Sequence, residues 1–326
     1  MRENLNIGIV GATGLIGRAF IKTIEQSSLP VKSIRLFASP KSIGKKIEAS
    51  GHTITVEGLD ENCFHGLDLV FFSAGKEVSK IYAPIAERSG ATVIDNSSAF
   101  RQDNAVPLII PEINGENLLT YKGKLIANPN CSTAIALLPL NKINALYGVK
   151  RLVFTTYQAV SGSGNKGLID LERGFCGKSP KFYPVDVSKN CIPQIGNLKE
   201  FGYTDEELKM VNETQKILQK RIKISATCVR VPIKNCHAIS VEAELEKPFL
   251  DEEIKSVFTS TDGVLLCDLP TQELADGKRE VFVGRIKRSL AFKNGLSFFC
   301  VGDNTLKGAA LNAVQIAEFL FMHGRI

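Results

Sequence analysis

Leu5-Asn-Ile-Gly8-Ile-Val-Gly11-Ala-Thr-Gly14-Leu-Ile-Gly17 opens the chain and decides its first fold. Leu5–Val10 is a short apolar run, and the apolar residues of 15–24 recur at helical spacing, so the stretch reads as strand, tight turn and helix. The glycines at 8, 11, 14 and 17 fall every third residue across that turn. Such a turn suits a dinucleotide because the backbone must come close to a pyrophosphate and the helix N-terminus must offer it unpaired N–H groups. Taken alone the motif describes any glycine-rich turn; the strand before it and the helix after it supply the meaning. Gly11, Ala12, Thr13, Gly14, Leu15 and Ile16 are therefore the expected cradle.

Outward from this turn, β-branched or aromatic runs at 33–37, 67–73 and 92–94, with a helix-like segment at 78–89, alternate β and α. The expectation is a doubly wound parallel sheet of Rossmann type over residues 1–127, with Ser73 and Gly75 also facing the cofactor. From about 128 the texture changes to a helix at 133–146 and long strand-like runs at 152–157, 224–231, 237–245 and 296–301, the pattern of an α+β domain. Thr204 with Glu207 three residues on forms a capping box for a helix reaching about 219. Residues 162–193, rich in Gly, Lys, Pro and Cys, read as a functional or dimer-contact loop, and 306–322 reads as a last helix.

At 326 residues and 44% hydrophobic content the chain is long enough for two domains. Its net charge of +6 is spread out, with no long basic run, which excludes a nucleic-acid surface and suits small anionic ligands. Eight cysteines at irregular positions, none in a CxxC pair, point to a reducing, cytoplasmic compartment. Met1-Arg2-Glu3-Asn4 leads straight into a strand, and no stretch approaches about 18 uninterrupted apolar residues, so neither signal peptide nor membrane span is expected. No His, Cys and Asp grouping has zinc-ligand spacing, and no metal is expected.

An NAD site usually carries a carboxylate about 20 residues beyond the turn, to hold the ribose 2′-OH. Here the region reads Arg35-Leu-Phe-Ala-Ser39-Pro-Lys41-Ser42-Ile-Gly44-Lys45, without one. Ser39, Lys41 and Ser42 suit a 2′-phosphate, so NADP is preferred over NAD; the alternative is a solvated loop with incidental lysines.

Asn128-Pro-Asn130-Cys131-Ser-Thr133 places a cysteine at the mouth of the second domain's first helix. A helix N-terminus favours a thiolate and can serve a developing oxyanion. The other seven cysteines read as inert, buried core residues. Of the four histidines, His52, His65 and His323 lie in loops, edges or the C-terminus, leaving His237 as a base that can meet the cysteine in space, or as an ordinary structural histidine.

The chain resembles the aspartate-semialdehyde dehydrogenases along nearly its whole length. Gly11-Ala-Thr-Gly14, Asp95-Asn-Ser-Ser-Ala-Phe-Arg101, Asn128-Pro-Asn-Cys-Ser-Thr133, Gln158-Ala-Val-Ser-Gly162, Val211-Asn-Glu-Thr214, Arg230-Val-Pro, and Asp303-Asn304 with Lys307-Gly-Ala-Ala310 carry the resemblance, in that order. It implies a Rossmann domain over 1–127, a catalytic and dimerisation domain over 128–304, a helix at 305–326 returning to the first domain, and a homodimer. The implied reaction is reductive dephosphorylation of L-aspartyl-4-phosphate to L-aspartate-4-semialdehyde by NADPH, in the aspartate-family route to lysine through diaminopimelate, methionine and threonine. It implies Cys131 as nucleophile, His237 as acid and base, and Gln158 as the residue orienting the thioester. Arg101 and Lys216 match a phosphate-binding pair; Arg230 and Glu213 match the residues holding the substrate carboxylate and amine, with Asn130 also at the substrate. Ser161, Gly162 and Asn304 complete the implied cofactor set. Arg offers a planar fork for a carboxylate and Lys a point charge for phosphate. The plainer alternative makes Lys209, Glu213, Lys216 and Lys220 a solvated charged helix face, accepted for Lys209 and Lys220. Departures are Ala134-Ile135 where Ile-Gln is frequent, Lys41 where an Arg is frequent, and Ala238 where Ser is common. N-acetyl-gamma-glutamyl-phosphate reductase is the rival enzyme, opposed by Asn130-Cys131-Ser132. A non-catalytic relative is opposed by the joint presence of Cys131, Gln158 and His237.

Overall fold

The computed structural model describes residues 4–326. The chain divides into two compact units, one comprising residues up to Pro129 together with Ala309–Ile326, the other Asn130–Gly308.

The first unit is built on strands β1 (Leu5–Val10) and β2 (Val31–Phe37), a side hairpin of β3 (Lys46–Ala49) and β4 (His52–Thr55), then β5 (Leu69–Phe72), β6 (Thr92–Asp95) and β7 (Leu125–Ala127). The main sheet runs β2-β1-β5-β6-β7, all parallel, with Val10 opposite Phe37 on one side and Phe72 on the other. β5 and β6 are buried at every residue, as expected for parallel strands covered on both faces. The strand order reverses at β1, where the chain leaves Val10 for the glycine turn and helix α1 (Leu15–Glu25); ligands of open parallel sheets bind at such a reversal. α1 buries Phe20, Ile21 and Ile24, and Phe20 stacks on Phe71 at 4.8 Å between ring centroids. α2 (Lys76–Arg88) and the short α3 (Pro111–Asn114) and α4 (Asn117–Thr120) complete the local connections. The C-terminal helix, Leu311–Met322, contributes Ala313, Val314, Ile316, Ala317 and Leu320 to the same core.

The second unit opens with α5 (Cys131–Tyr147), a helix buried on all sides over Ser132–Leu140. Then come β8 (Val149–Gln158), α6 (Asn165–Phe175), α7 (Asp205–Leu218), β9 (Lys223–Arg230), β10 (His237–Leu245), α8 (Asp251–Thr259), β11 (Val264–Leu266), α9 (Gln272–Ala275), β12 (Val281–Arg288) and β13 (Gly295–Gly302). They form a six-stranded mixed sheet in the order β11-β12-β13-β10-β8-β9, parallel only at β8 with β9 and β11 with β12.

The fold is the α/β plus α+β plan expected, with local differences. The helix pattern beginning at 133 starts at Cys131, because the Asn130 side chain caps it and draws the cysteine into the first turn. The 162–193 segment is not all loop: α6 begins after Gly164, whose φ of +67° breaks the preceding turn, and buried Asp170 accepts the backbone N–H groups of Lys181, Phe182 and Tyr183, which ties the chain beyond α6 back to that helix. The helix expected from 306 begins as a π-turn over Leu306–Ala310 before becoming α-helical. Asp303 anchors that turn, its carboxylate taking the Thr305 N–H and hydroxyl. β11 and β12 had no counterpart in the sequence expectation. The Thr204 capping box is present in both directions, Thr204 N–H to Glu207 Oε2 at 2.7 Å and Glu207 N–H to Thr204 Oγ1 at 3.3 Å.

Candidate active site

Three adjacent strands of the second unit end in step. Gln158, last residue of β8, stands opposite Arg230, last of β9, and opposite His237, first of β10; His237 in turn faces Gly302, which Asp303 and Asn304 follow. Residues distant in sequence thus share one register line. Gln158, Arg230 and His237 are all buried. Ala159 grips two of them: its N–H donates to His237 Nδ1 at 3.1 Å, and its carbonyl accepts from Arg230 Nη1 at 2.6 Å. Burial first, and the Arg230 charge second, push His237 down to about 3, so the ring is neutral near pH 7. A neutral imidazole accepting at Nδ1 carries its proton on Nε2. His237 Nε2 and Arg230 Nε are buried with no hydrogen-bond partner among the described residues. Buried donors are ordinarily satisfied, so two unsatisfied ones near each other point to a ligand.

Gly162 forms the wall against these groups: a Cβ there would lie 2.8 Å from Arg230 Nη1 and 3.1 Å from both His237 Cε1 and Nε2. Its neighbour Ser161 donates to Asn235 Oδ1 at 2.9 Å and accepts from Asn304 Nδ2 at 2.9 Å, while Asn304 Oδ1 accepts the Cys236 N–H at 2.9 Å. Ser161, Gly162 and Asn304 are therefore brought together beside His237.

Cys131 occupies the first position of α5, half-buried. Asn130 Oδ1 accepts from the N–H groups of Ser132 at 2.9 Å and Thr133 at 3.2 Å. Gly308 closes on the other side, where a Cβ would meet Cys131 Cβ at 2.8 Å, so the π-turn needs glycine at that point. Two carboxylates of α7 approach the same loop. Glu213 Oε2 accepts the Asn130 backbone N–H at 2.6 Å, and Glu206 Oε1 accepts from Asn130 Nδ2 at 2.8 Å and Gln158 Nε2 at 3.3 Å. Glu213 is fully buried, which excludes the solvated-face reading for it. Lys220 does pair at the surface, with Glu246 at 2.7 Å; Lys209 instead pairs with buried Glu206 at 3.0 Å, a correction to its assignment as plain surface charge. Lys216 is half-buried on the same helix. Sequence reasoning missed Glu206, whose only signal was its place two turns before Glu213 in an ordinary acidic first turn.

The remaining cysteines differ from Cys131. Burial pushes the thiols of Cys63, Cys228, Cys236, Cys267 and Cys300 up, away from the reactive thiolate form; Cys176 and Cys191 are exposed, which corrects their reading as core residues. Cys236, Asp276 and Asp303 come together within 4.8 Å. The Asp303 oxygens there are taken by the Asn235 amide, the Gly277 N–H and Thr305, which gives the cluster a structural task.

In the first unit, Gly11 has φ +88°, and a Cβ on it would lie 2.9 Å from the Ser73 backbone; a Cβ on Gly17 would lie 2.2 Å from the Gly11 carbonyl oxygen. Gly14 caps α1 without a side chain, so the first N–H groups of that helix, from Leu15 and Ile16 onward, stay open to an anion. Beside Gly11 lies a mostly apolar cavity of about 310 Å³ with walls including Ser39, Ile43, Ala74, Val78 and Tyr82, suited to an aromatic base. Gly75, at φ +90°, opens α2 beside it. Lys41 and Ser39 are exposed and Ser42 is buried, in a 3-10 turn over Pro40–Ser42. Glu57 pairs alongside Phe37 at the end of β2, but its carboxylate is held by Arg35 through two hydrogen bonds of 3.0 and 2.5 Å. The cradle fits a dinucleotide. Also in this unit, Arg101 is buried and donates to the Asn96 carbonyl at 2.8 Å. His52 and His65 are exposed in this unit and take no part in either group of residues.

A family profile described as semialdehyde dehydrogenase, NAD binding domain, matches residues 6–121, and one described as semialdehyde dehydrogenase, dimerisation domain, matches residues 137–307. The chain is 45% identical to the aspartate-semialdehyde dehydrogenase of Aquifex aeolicus, covering 98% of this chain and 99% of that one. This chain belongs to the aspartate-semialdehyde dehydrogenase family. The relative from Bacillus subtilis is 41% identical, with 98% of each chain covered. Among solved structures, aspartate semialdehyde dehydrogenase II from Vibrio cholerae, complexed with ASA, superposes with a TM-score of 0.95 at 39% identity, covering 98% of this chain and 99% of that one. The family resemblance carried by the motifs is thereby confirmed, as are an NAD(P)-binding first domain and an oxidoreductase of amino-acid biosynthesis. No helix among the described residues is long and apolar enough to cross a membrane.

Proposed function

We propose that this chain is an NADP-dependent aspartate-semialdehyde dehydrogenase that reduces L-aspartyl-4-phosphate, with release of phosphate, through a thioester on Cys131. It would act as a cytoplasmic homodimer serving lysine, diaminopimelate, methionine and threonine synthesis. The observation that carries this reading is the pair of buried nitrogens without partners among the described residues, His237 Nε2 and Arg230 Nε, on one register line with Gln158. The Vibrio cholerae relative solved with ASA supports the substrate class.

In the reductive direction the Cys131 thiolate attacks the acyl carbon; a C–S bond forms, the C–O bond to phosphate breaks, and phosphate leaves with the electron pair. The N-terminus of α5 favours the thiolate, and Asn130 and Gly308 fix where it stands. The nicotinamide, when bound, supplies the hydride that reduces the thioester. His237 donates a hydrogen bond from Nε2 to the oxygen at which negative charge gathers, and keeps it there until the C=O bond reforms and the C–S bond breaks, its electron pair leaving with the Cys131 thiolate. Arg230 holds the substrate carboxylate and Glu213 its ammonium, with the second amide N–H of Asn130 turned to the substrate; Gln158 orients the thioester. Arg101 and Lys216 are assigned to phosphate oxygens. Gly11 to Ile16, Ser73 and Gly75 cradle the pyrophosphate side of the cofactor, with Ser161, Gly162 and Asn304 assigned to it as well. Ser39, Lys41 and Ser42 take the 2′-phosphate, and the commitment of the Glu57 carboxylate to Arg35 removes a competitor for that position.

The test is phosphate-dependent reduction of NADP with L-aspartate-4-semialdehyde, set against N-acetyl-glutamate semialdehyde. Faster turnover of the acetylated aldehyde would move the chain to the N-acetyl-gamma-glutamyl-phosphate reductases, and turnover indifferent to phosphate would end the thioester–phosphate reading.

A further inference from the structure

We propose that Glu206 is the positioning residue of this site: its carboxylate sorts the side-chain amides of Asn130 and Gln158, so that each turns its NH2 inward and Gln158 presents its carbonyl oxygen to the reacting group. The proposal rests on the thioester reading above. Glu206 lies in the first turn of α7, where the helix N-terminus favours a negative charge and the Thr204 capping box fixes the turn. It is 7% exposed. Its two oxygens serve three donors: Oε1 accepts from Asn130 Nδ2 at 2.8 Å and from Gln158 Nε2 at 3.3 Å, and Oε2 accepts from Lys209 Nζ at 3.0 Å. Burial raises its proton affinity, yet the Lys209 ammonium, the Asn130 amide and the Arg230 charge outweigh that and bring it down to about 2.

An ionised carboxylate only accepts, while a side-chain amide has one donating and one accepting end. The orientation of both amides follows. With Nδ2 turned to Glu206, Asn130 must present Oδ1 to the Ser132 and Thr133 N–H groups, which is the cap that sets Cys131 at the head of α5. With one Nε2 hydrogen on Glu206 and the other on Thr156 Oγ1 at 3.2 Å, Gln158 has spent its donors. Gln158 therefore acts as an acceptor, toward a hydroxyl, thiol or ammonium hydrogen, and leaves donation to an oxyanion to His237. Charge-assisted hydrogen bonds of this kind are stronger than neutral ones and carry more geometric information, so one carboxylate can align two residues from α5 and β8.

The experiment is a double-mutant cycle of Glu206→Gln with Gln158→Ala in the full-length enzyme, read as kcat and KM for aspartate semialdehyde, with the alkylation rate of Cys131 by iodoacetamide as an activity-independent readout. Glu206→Gln should lower kcat about 10- to 100-fold with KM within about threefold, the scale of a misplacement of up to about 1 Å. On the Gln158→Ala background the same change should cost several-fold less than it does in the otherwise wild-type enzyme, only the part routed through Asn130 remaining, because coupled residues are not additive. Cys131 alkylation should change severalfold in Glu206→Gln, and the change should vanish on an Asn130→Ala background. Equal losses on both backgrounds, or an unchanged kcat per titratable Cys131 with only Tm reduced, would overturn the proposal. If Glu206→Gln does not fold, Glu206→Asp, which keeps the charge but shortens the reach, is carried through the same cycle with the same criteria. Wild-type protein without phosphate-dependent turnover would remove the thioester reading, and the alkylation arm would then decide for or against Glu206 by itself.

Discussion

Gly162→Ala adds a single methyl group where the geometry leaves no room for one. The new carbon would lie 2.8 Å from Arg230 Nη1 and 3.1 Å from His237 Cε1 and Nε2. Ordinary heavy-atom contacts sit near 3.5–4.0 Å, so the two side chains must each give way by roughly 0.5 Å. Neither is loose, since both are held by Ala159, the arginine through a 2.6 Å bond to its carbonyl and the imidazole through a 3.1 Å bond from its N–H. A displacement of about 1 Å can cost about 10²-fold in rate, so half of that should cost about 10-fold, a loss expected in kcat more than in KM. Stretching the buried arginine bond should lower stability by about 1–3 kcal/mol if it breaks, and by less if it only lengthens. The assay is steady-state turnover of aspartate semialdehyde with NADP and phosphate, with NADPH affinity measured separately to isolate any cofactor effect. A variant with kcat within twofold of wild type and an unchanged Tm would refute the idea that Gly162 is there to let His237 and Arg230 stand where they do.

Cys131→Ser should fold and bind cofactor yet lose most turnover, because the hydroxyl is a far weaker nucleophile and a poorer leaving group; wild-type-like kcat in a thiol-free assay would sink the mechanism. Lys41→Glu should weaken NADPH strongly and NADH little, as read by fluorescence titration of both, and equal losses would show that the Pro40–Ser42 turn does not meet the 2′-phosphate. His237 lies at about 3 in the fold against an ordinary 6.5, so its neutral form is the stabilised one: the contribution is complete above 6.5 and is lost as pH falls from 6.5 toward 3, while Glu206, held at about 2 against 4.5, adds its loss only below 4.5. Thermal melts should therefore show wild type losing Tm more steeply between pH 6.5 and 4.5 than His237→Asn does, and parallel slopes would mean that the imidazole is not held neutral by burial.

What the sequence made legible was whatever is written locally. The strand, turn and helix around Gly11 could be read because glycine spacing, strand burial and helix periodicity are neighbours in the chain, and the Thr204 box because both of its partners lie within one turn. The register line through Gln158, Arg230 and His237 could not be derived from periodicity, since it depends on which strands pair; only the motif resemblance pointed to the three together. Helix α6 was hidden because its glycines read as loop, although they serve close packing: a Cβ on Gly167 would lie 2.3 Å from the Val160 carbonyl oxygen. The π-turn at Leu306–Ala310 has the composition of an ordinary helix, and only the approach of Gly308 to Cys131 gives its reason. Glu206 escaped notice because an acidic residue in the first turn of a helix is accounted for by the helix alone.

The first unit draws its core from both ends of the chain: Ile7, Ile9, Phe20 and Phe71 pack in one cluster with Ala313, Val314, Ile316 and Leu320. A ribosome delivers these partners in the order of the message, and the whole of Asn130–Gly308 is made between them. The nucleotide-binding half, though synthesised first, is the half that must wait. Its sheet emerges with one flank uncovered and stays so until the helix Leu311–Met322 is released, while the second unit has every one of its own strands in hand before that moment. Birth order and completion order are thus reversed in this chain, and the exposed interval falls on a parallel sheet, an arrangement whose long-range pairing makes it slow to close and open to aggregation while it waits.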